Sequence, residues 1–233
     1  MHTEGAQPAG NRLDAIDSVS PGPSVTTPSP VRSFDVRHVQ LARALFAAVA
    51  AVMVTFSSDH SAAVGSSVFS GFALATALVL VLSVWLVYPN GQRMTPLLLA
   101  VVTGLAGLAT SIGAWRTTTF FFVLVIVWAV VSGAIEIIGA LRDRRAGRPD
   151  SRDGLTVGII TLILAVGFLF TSPAFSYDYT IEGAGTFTLT GITIAVGIFG
   201  GYAAIIAVYL AIAGFSPRRP EPVPAVPAEE AAS

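Results

Sequence analysis

Residues 119–141 read TFFFVLVIVWAVVSGAIEIIGAL, an apolar run long enough to cross a hydrocarbon core of about 30 Å as a helix. It is apolar on every face and lacks the period-two alternation of a membrane barrel strand, so a helix is the structure it supports. Five further runs of the same character lie near 39–57, 61–88, 96–116, 154–172 and 187–214. Six such runs in 233 residues cannot be hidden inside one soluble core. Composition agrees, because only 12% of the residues are charged, where soluble domains carry about 25%. Mean hydropathy is correspondingly high, +0.73. The expected fold class is an all-α integral membrane protein with six transmembrane helices within residues 32–216.

The flanks differ sharply from this middle. Residues 1–31 are rich in Pro, Ser, Thr and Gly and poor in large apolar groups, so they are expected to form a disordered tail. Residues 217–233 form a second, Pro-rich tail with a polyproline-II bias and the character of a solubilising spacer. Between the tails only Pro89, Pro96, Pro149 and Pro173 remain, each in a gap or at the edge of an apolar run. There a missing N–H breaks no helix. Cysteine is absent, which excludes disulfides, thiolate metal sites and thiol nucleophiles. A net charge of −1 argues against nucleic acid as a partner, which leaves the lipid bilayer as the surroundings of the chain.

Arginine placement sets the expected orientation. Arg12, Arg32, Arg37 and Arg43 precede or open the first span, Arg93 lies between the second and third, and Arg218 and Arg219 follow the sixth. A basic loop of Arg142, Arg144, Arg145, Arg148 and Arg152 joins the fourth and fifth. Only Arg116 falls on the other side, so twelve of the 13 basic residues mark one face of the membrane. By the positive-inside tendency both termini are expected in the cytoplasm. The absence of lysine, with abundant Ala, Val and Gly, suggests the composition of a high-GC bacterium and hence its inner (plasma) membrane. More than thirty polar residues precede the first span, so it is read as a membrane anchor and not a cleaved signal peptide. The basic loop is first a topology determinant and second a candidate for anionic lipid.

Small residues recur in register along the spans. Ala44, Gly104 and Gly158 align on the odd helices, and Ser70-Gly71, Ser132-Gly133 and Gly200-Gly201 on the even ones. Six residues later the even helices carry Ala77, Gly139 and Ala207. The spans are therefore expected to form three parallel-repeat helical hairpins about an axis along the membrane normal. The stretch Ser132-Gly133-Ala134-Ile135-Glu136-Ile137-Ile138-Gly139-Ala140-Leu141-Arg142 resembles the signature helix of HdeD-like membrane proteins. The next helix, with Gly158, Gly167 and Thr171-Ser172-Pro173, is similar to theirs as well. The resemblance covers roughly residues 39–214 and is close over the fourth and fifth helices. It implies six helices built from hairpin repeats, and a role in acid or envelope stress exercised through helix packing and partner contacts.

Candidate functional residues are few. Glu136 is the one carboxylate well inside a span, about 8–9 Å from the cytoplasmic end of its helix. Arg43 is expected at a similar depth on the first helix, and the two are expected to pair across a helix interface. The sharper alternative makes Glu136 a proton or ligand site. Asp59, or Ser58, is expected to cap the second helix, and His60 lacks the second histidine of a metal motif. Trp85, Tyr88 and Trp115 fall where interfacial aromatics belong. Phe120, Phe121, Phe122 and Trp128 are expected to pack or to face lipid. Gly133 and Gly139 are expected at helix contacts. Gly197 and Gly201 form a GxxxG step that serves either packing within the chain or a homo-oligomer. No catalytic set, cofactor motif or metal motif is present in the sequence, so no enzymatic activity is expected. Two functions follow: a non-enzymatic protein acting through partner contacts, or a small transporter or channel using Glu136. A cavity containing Glu136 would favour the second.

Overall fold

The computed structural model describes His2 and residues 34–147 and 151–216. Apart from His2, both tails lie outside the described residues, as do Arg148 of the basic loop and the arginines at 12, 32, 218 and 219. Six helices are long and apolar enough to cross a membrane. They are α1 (Val36–Phe56), α2 (Ala62–Leu86), α3 (Met94–Ser111), α4 (Thr118–Arg145), α5 (Ser151–Leu169) and α6 (Gly191–Phe215). Their outer faces carry large side chains such as Leu78, Leu105, Ile163 and Val208, all well over half exposed in the isolated chain. Helices apolar all round with such faces belong in lipid.

Local chemistry explains where the helices start and stop. α1 begins three residues before the apolar run because Asp35 and His38 form a reciprocal capping box. Within it the Asp35 side chain accepts from the His38 backbone N–H and His38 Nδ1 accepts from the Asp35 N–H at 3.1 Å, while the Asp35 carboxylate also accepts from the Val36 N–H at 2.7 Å. The cap of α2 is Ser61, and not Asp59 or Ser58 as expected from the sequence. The Asp59 carboxylate instead accepts from the Ser61 N–H at 2.8 Å and from its hydroxyl at 2.9 Å, so it orients the cap from outside the helix. α3 ends at Ser111, short of the expected 116, and Gly113–Trp115 form a 3-10 turn. α4 runs past its apolar stretch to Arg145, with Arg142, Arg144 and Arg145 in its last turn complementing the helix dipole.

The largest departure from the expected spans is a β-hairpin before α6. Strands β1 (Ser176–Ile181) and β2 (Gly185–Thr190) pair antiparallel, so residues 187–190 belong to a strand and not to the sixth helix. Tyr, Thr, Ile and Phe alternate here in a pattern that suits a strand. Gly183 and Gly185 take positive φ at the turn, a conformation glycine tolerates. Tyr179 stacks on Phe187 across the ladder.

The helices close into a ring. The most extensive contacts join α1 with α6, α2 with α3 and α4 with α5, and looser ones join α1 with α2, α3 with α4 and α5 with α6. At the close pairs the backbones meet through small residues. A Cβ at Gly133 would lie 3.0 Å from the Gly158 carbonyl oxygen, and one at Gly200 would lie 2.6 Å from Val54. Between α2 and α3 the Ser70 hydroxyl donates to the Gly107 carbonyl at 2.8 Å. Inside the ring, towards the hairpin end, Phe69 packs edge-on against Phe121, Trp128 and Phe199. Phe122 and Phe168 complete this aromatic plug.

Candidate functional site: a polar cavity floored by an ion pair

At the arginine-rich end the ring is hollow. A cavity of about 200 Å³ is lined by residues of all six helices, with its mouth among Val36, Pro89 and Gln92. Its floor is an ion pair, Arg43 Nη2 to Glu136 Oε1 at 2.8 Å. Glu136 is 6% exposed and the Arg43 side chain 20%, both figures for the isolated chain. The expected pair is thus present, with one correction. α1 and α4 stand opposite each other in the ring and are not packed neighbours, so the bridge crosses the centre of the bundle and no helix–helix interface.

A second polar link reinforces the wall. Gln40, one turn before Arg43, donates from Nε2 to Asp153 Oδ2 at 2.7 Å, and the Tyr209 hydroxyl donates to Asp153 Oδ1 at 3.2 Å. α1, α5 and α6 are tied together at the level of the cavity by these bonds.

Beyond the ion pair lies a smaller chamber of about 20 Å³. Each of α2 to α6 presents one hydroxyl to it: Thr76, Thr103, Ser132, Thr161 and Tyr202. Some of these are satisfied within the chain. Trp128 Nε1 donates to Thr103 at 3.2 Å. Thr161 donates to the Val157 carbonyl at 2.8 Å and therefore accepts from Tyr202 at 3.1 Å. The hydroxyls of Thr76 and Ser132, and Nε of Arg43, are buried and have no hydrogen-bond partner. Buried polar groups are normally satisfied by the chain or by ordered water, and these three belong to residues lining the chamber.

The other site residues read from the sequence fall into three groups. Gly133 and Gly139 sit at close contacts as expected, Gly133 against Leu162 and Gly158, and Gly139 against Thr95. Gly197 and Gly201 do not pack within the chain, since both lie on the exposed face of α6, where an added Cβ would meet nothing within 4 Å. The neighbouring Gly200 makes the helix contact instead. Arg142, Arg144, Arg145 and Arg152 are exposed around the cavity end. Of the aromatics, Phe121, Phe122 and Trp128 are buried in the plug, whereas Trp85 and Trp115 are exposed near helix ends. Sequence reasoning misses Gln40, Asp153 and the hydroxyl collar. A signal for Gln40 exists, an amide one turn from the only intramembrane arginine. Single Thr and Ser residues in apolar helices carry no such signal, because they also satisfy themselves on their own backbone.

Fold and site together define a multi-pass helical membrane protein with a polar interior cavity approached from one end. Comparison with protein-family models, with curated proteins and with solved structures gives no match.

Proposed function

We propose that this is a non-enzymatic bacterial plasma-membrane protein of the small-transporter class, with both termini in the cytoplasm, which admits a small polar solute to its cavity and holds it against Arg43 and Glu136. One observation carries the reading: the intramembrane ion pair is the floor of a cavity to which all six helices contribute. A pair serving only to join two helices would sit between packed neighbours, sealed by apolar side chains. This one spans the bundle centre and borders open space on both sides. Intramembrane charges that face a cavity mark substrate or ion pathways.

The test is stopped-flow osmotic swelling of proteoliposomes with a panel of small solutes: urea, glycerol, formate and methylammonium. At least one should cross in a protein-dependent manner, and Ala140→Phe, which fills the cavity from a buried wall position, should cut that flux at least tenfold. No protein-dependent flux for any solute would refute the reading.

A second reading follows the resemblance to HdeD-like proteins, association with a membrane partner or a second copy in acid or envelope stress. The exposed Gly197 and Gly201 face supports it, because small residues let helices approach closely in lipid. Cross-linking in native membranes, compared between the native chain and Gly201→Leu, tests that face.

A further inference from the structure

We infer that the inner chamber is a binding site for a small monovalent anion, of chloride to formate size, which replaces Glu136 as the counter-charge of Arg43 when Glu136 is neutral. The inference rests on the reading of the cavity as a solute site and names its solute class.

Three observations meet here. The first is hydrogen-bonding polarity. Donors from four residues line the chamber: the Arg43 Nε–H and the hydroxyls of Ser132 and Thr76, all without a partner in the chain, and the hydroxyl of Thr103, whose oxygen already accepts from Trp128. Anions are held by converging N–H and O–H donors of this kind. The second is size. About 20 Å³ of free space suits an occupant of one or a few atoms, since about 10–15 Å³ on such a measure already admits a water.

The third observation is charge. Glu136 reaches Arg43 through Nη2 and leaves the buried Nε without a partner in a residue that lines both spaces, so the guanidinium retains a donor for an anion. With Glu136 ionised the pair is neutral and an added anion would be an uncompensated buried charge. A proton on Glu136 and an anion beside Arg43 restore neutrality, so the two are taken up together. The ionisable groups around the pair are Tyr202 on α6, Tyr88 between α2 and α3, Asp143 on α4 and Asp153 on α5, while α3 contributes Thr95 and Leu99. Asp153 is engaged by Gln40 and Tyr209. The approach is favourable to an anion. At this end the described residues hold seven arginines (Arg37, Arg43, Arg93, Arg142, Arg144, Arg145, Arg152) against four carboxylates (Asp35, Glu136, Asp143, Asp153). Such a field concentrates anions at the mouth.

The experiment measures thermal unfolding of the purified full-length protein in detergent, at constant ionic strength, with chloride or formate exchanged for gluconate. In Glu136→Gln, chloride at about ten times its Kd should raise Tm by roughly 3–6 °C over gluconate. Adding Ser132→Ala and Thr76→Val should abolish that difference. In the unaltered protein the chloride effect should be weak at pH 7.5 and grow as the pH is lowered to 5, an arm that stands even if Glu136→Gln does not fold. Bromide should quench Trp128 fluorescence under the same conditions, read in a Trp85→Phe, Trp115→Phe background. Equal Tm in chloride and gluconate in both arms would overturn the site, and so would an effect that survives loss of both hydroxyls. Solute flux without anion-dependent stability would leave the transporter reading standing and end this one. Anion-dependent stability without flux would do the reverse.

Discussion

Replacing either member of the central pair alone should harm the protein more than replacing both. The perturbation is a double-mutant cycle with Arg43→Leu, Glu136→Leu and the double variant. In Arg43→Leu the carboxylate of Glu136, 6% exposed, loses its ion-pair partner and must either stay buried as a lone charge or take up a proton, each at a cost. Breaking a buried pair in this way costs about 3–5 kcal/mol. Glu136→Leu should lie at the lower end of that range, because Arg43 is 20% exposed and borders the cavity, where water can solvate it. In the double variant both charges are gone and two leucines face a space partly lined by Leu80, Leu99 and Leu210. Such a replacement is often neutral or stabilising by about 1–4 kcal/mol. The coupling energy should therefore reach about 3 kcal/mol or more. For a chain of this size that corresponds to single-variant Tm losses of roughly 6–20 °C in detergent, largely recovered in the double variant. Additive losses, with the double variant the least stable of the three, would show that the 2.8 Å contact contributes no net coupling and would refute the reasoning.

The remaining predictions concern packing, capping and topology. Gly158→Ala, whose new Cβ would lie 2.9 Å from the Gly133 carbonyl oxygen, should destabilise by about 1–3 kcal/mol through overpacking. Gly197→Ala meets nothing within 4 Å and should be neutral or gain up to about 1 kcal/mol from helix propensity; thermal unfolding of the two variants side by side checks the contrast. Ser61→Ala should cost about 1 kcal/mol as a lost cap, and Asp59→Ala less, an order that the same assay would reverse if Asp59 were the true cap. Because the chain has no cysteine, new thiols at Ser61 and Tyr177 should react with an impermeant maleimide from outside intact cells, and one at Gly147 should not. Labelling of Gly147 from outside would invert the proposed orientation.

What is legible in the sequence is what the bilayer dictates residue by residue. Long apolar runs announce spans because every residue of a span faces either lipid or a similar side chain, so six helices can be read without knowing their neighbours. A charged residue in such a run stands out for the same reason, and Arg43 and Glu136 emerge together on depth alone. Their relation does not emerge with them, because depth is a one-dimensional quantity. Two charges at one level pair across an interface or across the centre of a ring, and only the cyclic order of the helices decides which. The GxxxG step misleads similarly. Gly197 and Gly201 match the motif, yet the rotation of α6 turns Gly200 to the contact with Val54 and leaves the motif outside. The hairpin before α6 is masked by its apolar residues, which extend the sixth run although Thr186, Thr188 and Thr190 alternate with Phe187 and Leu189.

The arrangement of large and small residues along the bundle gives the site its direction. At the hairpin end the inward positions hold Phe69, Phe121, Phe168 and Phe199, each essentially fully buried, and aromatic rings of that size fill the centre of a six-helix ring. At the opposite end the inward positions include Thr95, Gly139, Ala140, Gly154 and Val157, which leave part of the same diameter unfilled. The ring does not narrow to compensate, because its close pairs are set by backbone contacts at Gly133, Gly158 and Gly200, so the unfilled volume remains as a cavity. Arg43 and Glu136 sit at the boundary between the two regimes, where the side chains change from small to aromatic and two long polar side chains are needed to span the gap. The pair is thus placed by packing and exposed by it at once. On the proposed transporter reading, passage beyond the pair would require Phe69, Phe72 and Phe199 to move together, since each ring is in edge-on contact with the other two or tilted against them. On that same reading, a solute that reached the pair would meet charge on its arrival side and a close-packed aromatic barrier ahead, as a site loaded from one side at a time would need.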